Sequence, residues 1–231
     1  MVSLHFIGVS HNDRSGAERL ERALEVEDPV SISVESSLGL VAYMQSPAFR
    51  VGREAYLRKL MFYGARPHVT GALRKKFFEL DGYDVRVPQE FARKKQIPFF
   101  LIDDPAQVEV VKQSIIEETR SLRRDYVANL NIAYARPDLY LEDPYNAQRA
   151  LWGDAKREAQ EVFNNLTHIK GSSGRREDIA AENLRRASEG IEGKFVHVCG
   201  AGHLLQDPQY RETLFSKLAD FSPTRKLLCD Y

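Results

Sequence analysis

Short apolar runs alternate with amphipathic stretches along the chain, and that rhythm predicts its elements. Val2–Val9 (VSLHFIGV), Val30–Glu35 (VSISVE), Pro98–Asp103 (PFFLID) and Lys194–Cys199 (KFVHVC) read as strands, with a weaker fifth in the closing RKLLCDY. Between them the spacing changes to that of helices. Ala17, Leu20 and Leu24 mark one apolar face, with Glu and Arg on the others. A second helix is expected after Asp104-Pro105, because proline suits a first turn, and its stripe runs through Val108, Val111, Ile115, Leu122 and Tyr126. Strands alternating with helices predict an α/β fold, a mostly parallel central sheet flanked by helices.

Two regions exceed the minimal strand–helix–strand unit. Residues 38–95 are helical in pattern and rich in Arg and Lys, and residues 134–166 open with YARPDLYLEDPYNAQRALW before turning helical. Both read as helical insertions in a single domain spanning residues 1–231, forming a cap on the sheet. The tyrosine-rich stretch reads as a loop wrapped on the body or as a lid facing a substrate. KGSSGRRED, from Lys170, reads as a loop leading into a helix.

Composition narrows the classes. A hydrophobic content of 43% supports a buried core, and 33 basic residues balance 33 acidic ones. A neutral chain lacks the basic excess of a nucleic-acid binder, so no nucleic-acid partner is expected, although basic clusters such as Arg74–Lys76 offer a solvated face or a partner surface. Two cysteines, Cys199 and Cys229, give no disulfide framework or metal-binding pair. The N-terminus has no signal-peptide pattern, and no window nears the ~20 apolar residues of a membrane span. A soluble cytoplasmic protein is the expectation.

The chemistry gathers at predicted strand ends. Gly200-Ala-Gly202 after an apolar run suggests a dinucleotide fingerprint, but Leu205 replaces the third small residue and too little chain follows for the required strand. The same stretch belongs instead to a repeated arrangement. FIGVSH gives a strand, Gly8, then His11; HVCGAGH gives a strand, Gly200, then His203. Parallel strands place functional groups beyond their carboxyl ends. VSISVE ends in Glu35, a carboxylate costly to bury unless paired or bound, and FFLIDD ends in Asp103 and Asp104. Each residue alone also has a structural explanation, as a turn histidine or a capping acid. His5 and His197 alternate with apolar neighbours inside strands and read as structural; His68 and His168 have no evident partners.

These motifs together resemble the TraB/PrgY, GumN and Tiki superfamily, related in fold to erythromycin esterases and ChaN-like proteins. Glu35 matches its second-strand glutamate, Asp103 its aspartate-ended strand, and RREDIAAENL its arginine-led helix, with Arg175 as the best match and Arg176 as the register alternative. The chain departs at Val9, where the family has threonine, and at Ser36-Ser37, where leucine and an acid are usual. It also lacks the C-terminal membrane segments of archaeal TraB types.

The resemblance implies a hydrolase of peptide or ester bonds, metal-dependent in the Tiki manner, acting on a peptide or small molecule. On that reading His11 and His203 ligate a divalent metal, and Glu35 is ligand or general base. Arg175 binds substrate or the developing oxyanion, and Asp103 orients its neighbours. Zinc, manganese or cobalt would suit such a set. The related esterases imply a metal-free variant, in which a histidine oriented by Glu35 activates water. The rival is a non-catalytic regulatory or peptide-binding protein on the same fold. The sequence leaves oligomeric state open.

Overall fold

Each apolar run becomes a parallel strand. In the computed structural model, which describes residues 2–11, 13, 15–80, 82–135, 173–204 and 213–231, the strands are β1 (Val2–Val9), β2 (Ser31–Val34), β3 (Phe99–Leu101), β4 (Gly193–Gly200) and β5 (Thr224–Leu227). They form one sheet in the order β3-β2-β4-β1-β5, every pair parallel. The expected α/β fold with a parallel central sheet is present.

The strands read as nearly continuous apolar runs because both sheet faces are covered. On one face Ile7, Val9, Ile32, Val34, Val196 and Val198 pack against Leu20, Ala23 and Leu24 of α1 (Gly16–Glu27) and Val87, Phe91 and Ala92 of α5 (Tyr83–Lys95). On the other, Leu4, Phe6, Phe195 and Cys199 meet Ala180, Ala181 and Leu184 of α8 (Ser173–Ser188), with Leu214 and Phe215 of α9 (Leu214–Lys217). The alternation along β4 sends His197 to this second face, where it is fully buried against Ser33.

The described residues group into two compact units. The sheet belongs to one, drawn from Met1–Ser36, Gly82–Asp104 and Pro144–Tyr231; the other is drawn from Ser37–Asp81 and Pro105–Asp143. The second unit holds α2 (Leu38–Met44), α3 (Pro47–Phe62), α4 (Pro67–Lys75), α6 (Gln107–Ser121) and α7 (Arg124–Ala135). Its core gathers Tyr56, Leu57, Leu60, Val69, Leu73, Leu122 and Val127. Arg53 pairs with Glu118 at 2.8 Å, while its guanidinium lies 4.4 Å from the Phe77 ring centre.

Sequence spacing blurred two boundaries. The stretch expected as one insertion, 38–95, divides: α5 packs on the sheet because Val87, Phe91 and Ala92 cover its strands. The single stripe from Val108 to Tyr126 is two helices, since Leu122 turns to extended backbone (φ −54°, ψ 131°) and buries its side chain. Apart from residues 134–135, which close α7, the 134–166 region lies outside the described residues. No helix among the described residues is long and apolar enough to cross a membrane.

Leu184 anchors α8 to the sheet with 1% of its surface exposed. Leu184→Ala should lower the unfolding free energy by about 3 kcal/mol in urea titration, the cost of lost burial plus a residual cavity.

Candidate functional site

The two Gly-x-x-His stretches leave adjacent strands. β1 and β4 pair with Gly8 opposite Cys199 and Val9 opposite Gly200, so the stretches emerge side by side. β2 lies on the other side of β4, and the Glu35 N–H donates to the Val198 carbonyl at 3.1 Å. β3 follows, with the Asp103 N–H donating to the Ser36 carbonyl at 3.0 Å. Parallel pairing in register thus brings four strand ends to one place.

Gly8 makes the approach possible, and Gly200 lies where the side chains converge. A Cβ on Gly8 would stand 3.1 Å from Leu204 Cδ1 and 3.2 Å from Ala201 Cβ, so its absence lets the turn Ala201–Leu204 settle on β1. A Cβ on Gly200 would stand 3.5 Å from His203 Cδ2, 3.6 Å from Glu35 Oε2 and 3.8 Å from His11 Nε2. A small atom over Gly200 therefore touches all three predicted side chains at once.

Glu35 is the hub. Its Oε1 accepts from His203 Nε2 at 2.9 Å and from the Arg176 guanidinium, while Oε2 accepts the Gly200 N–H at 2.9 Å. Arg176 also grips Asp103 through two bonds, Nε to Oδ1 at 2.8 Å and Nη2 to Oδ2 at 2.6 Å. Burial raises the proton affinity of Glu35, but the neighbouring His203 and Arg176 charges outweigh it and hold the carboxyl well below its usual range.

His203 is held from both sides. Its Nδ1–H donates to the buried Glu177 carboxylate and its Nε2–H to Glu35. Burial disfavours the charged ring, yet the two carboxylates overcome that and lift its pKa to about 10. At neutral pH it is an imidazolium. His11 differs: its side chain is 63% exposed, with Nδ1 at 3.4 Å from Asp84 Oδ2. Asp84 itself is lifted above the usual aspartate range, mainly by burial.

The geometry therefore unites His11, Glu35, His203 and Asp103. Arg175 is exposed and takes no part; one residue on, about 100° around a helix, Arg176 faces the carboxylates. Asp104 only closes a turn, its N–H bonded to Asp103 Oδ1 at 2.8 Å. His5 pairs with Glu27 at 3.3 Å, a separate cluster. His197 bonds Ser33 Oγ at 2.9 Å, and burial drops its pKa to about 3, so it is a neutral core residue. His68 is exposed, and His168 lies outside the described residues. Two residues escaped the sequence reading. Glu177 had a legible signal, a carboxylate three, four and seven positions before Ala180, Ala181 and Leu184 on one helical stripe. Asp84 had none, since an acid in a helix's first turn is ordinary.

The donor set, as placed, does not fit a divalent ion. Both His203 nitrogens lie against carboxylates, and both Glu35 oxygens are engaged. A guanidinium stands inside the cluster, where a second cation would be repelled. Among the described residues no group of three or more His, Cys, Asp or Glu is arranged to hold a metal. Comparison of the chain with protein-family profiles, curated proteins and solved structures found no match.

Arg176→Ala should cost about 3 kcal/mol of stability, because it removes the cation that Glu35 and the buried Asp103 share. Arg175→Ala should stay within about 0.5 kcal/mol, as exposed substitutions do; urea titration of both variants checks the register. The raised His203 pKa sets a pH dependence. Its contribution is complete below the ordinary 6.5 and is lost as pH rises through about 10. Unfolding free energy should decline across that window, less steeply in His203→Gln.

Proposed function

We propose that this chain is a metal-independent hydrolase of ester or peptide bonds, of the kind its resemblance to the TraB, Tiki and erythromycin-esterase proteins suggests. One observation carries the reading: His11 Nε2, Glu35 Oε2 and the His203 ring surround a single point over Gly200 at 3.5–3.8 Å. A water standing off the Gly200 backbone, between Glu35 Oε2 and His11 Nε2, would offer one hydrogen to each.

The two histidines then take different parts. His203, clasped by Glu177 and Glu35, is no base; with Arg176 it offsets the carboxylate charges beside the reacting carbonyl. That offset limits the repulsion of the oxyanion that forms as water attacks. His11 is the unlocked imidazole. It takes the water's proton as the new C–O bond forms, then returns it to the departing alkoxide or amine as the scissile bond breaks. Glu35, held ionised, accepts a hydrogen bond without taking the proton.

Hydrolysis of a p-nitrophenyl ester series and a fluorogenic peptide library, with and without chelator, tests this. Activity should survive chelation and fall at least ~100-fold in His11→Gln, the scale of a lost general base. Gly200→Ala should do the same with its thermal midpoint kept, because the added methyl makes only ordinary contacts while crowding the space between Glu35 and His11. Activity abolished by chelator and restored by manganese, cobalt or zinc would overturn the metal-free reading. Saturable peptide binding without turnover would support the non-catalytic alternative.

A further inference from the structure

The loop bearing His11 is bonded at its backbone by one residue of α5 and approached at its ring by the next. Tyr83 OH donates to the Ser10 carbonyl at 2.9 Å, a buried bond that fixes the residue before His11. The Tyr83 ring fills the space a side chain on Gly16 would need, so the loop's far end closes on the same ring. Asp84, next in sequence, brings Oδ2 to 3.4 Å from His11 Nδ1. Its carboxylate side chain is only 13% exposed. His11 Nε2 meanwhile approaches the point over Gly200.

We propose that Tyr83 and Asp84 form a positioning clamp for His11, in which Asp84 accepts the Nδ1–H and leaves Nε2 bare toward the site. A carboxylate cannot donate, so it selects one neutral tautomer; which ring nitrogen carries the proton is set by the partner of the other. A solvent-exposed imidazole held by no acceptor would favour the opposite form, with its proton on Nε2 and its lone pair on Nδ1, turned from the site. Tyr83 contributes by holding the loop so that the ring stays within reach of Asp84. The clamp itself moves no proton. Its kinetic consequence rests on His11 being the base proposed above, whereas the tautomer itself does not.

Long-range nitrogen-15 NMR of histidine-labelled full-length protein tests the clamp at about pH 8, above the ordinary imidazole range, with His11 assigned by His11→Gln. Wild type should show His11 protonated on Nδ1. Asp84→Asn, nearly isosteric, presents an N–H where the carboxylate stood and should move the proton to Nε2. Nε2–H in wild type would overturn the proposal even if the variant failed to fold. An unchanged Nδ1–H signal in folded Asp84→Asn would overturn it too. Where an ester or peptide probe is turned over, Asp84→Asn should lower kcat roughly 10- to 100-fold with KM unchanged, as loss of an orienting partner does. Failure to find any hydrolysis would count against the proposed function, and the tautomer result would still decide the clamp.

Discussion

The site exists because one carboxylate, Glu35, ends a strand buried on both faces and must be compensated there. An ionised carboxylate out of water is tolerated only when paired and hydrogen-bonded. Each neighbour supplies part of that compensation: the Gly200 N–H from β4, the His203 ring from the turn after it, and Arg176 from α8. The demands then spread outward. Arg176 needs Asp103, which fixes the end of β3, and His203 needs Glu177, which fixes the phase of α8. Breaking any of these contacts strands a charge in a poorly solvated place, so the network holds or fails as a unit.

Two similar motifs end in different electrostatic states. Gly8 to His11 and Gly200 to His203 follow neighbouring strands with the same spacing, yet only His203 is clasped by two carboxylates. The difference comes from location in the sheet. β4 is flanked by β2 and overlain by α8, so its histidine meets an acid from each. β1 feeds a loop that turns toward the start of α5, where Asp84 approaches at longer range. A fold that holds one histidine charged at neutral pH and leaves its counterpart accessible has separated two roles that acid–base chemistry needs apart.

What the residues determined alone is considerable. Apolar runs bounded by polar turns fixed the strands of the sheet, because strands buried on both faces must be apolar throughout. Glycine before histidine at two strand ends, with Glu35 and Asp103 at two more, marked the chemistry. Spacing could not settle which nitrogen, oxygen or arginine meets which. Arg175 and Arg176 are adjacent in sequence, and only the packing of Ala180, Ala181 and Leu184 on the sheet decides that the second faces inward. The one-residue ambiguity of a motif is a turn of about 100° in a helix, enough to exchange a site residue for a solvated one.

Tertiary structure alone also decided the state of the ligands expected from the motifs. Whether His203 is a neutral donor or a locked cation depends on Glu177, a residue 26 positions away, and on the helix that carries it. The division of the 38–95 region and the break at Leu122 were likewise settled by which core each helix could cover. Periodicity reports that a face is apolar, not which partner buries it. Charge pairing is less local still, because its strength depends on the solvent that folding removes.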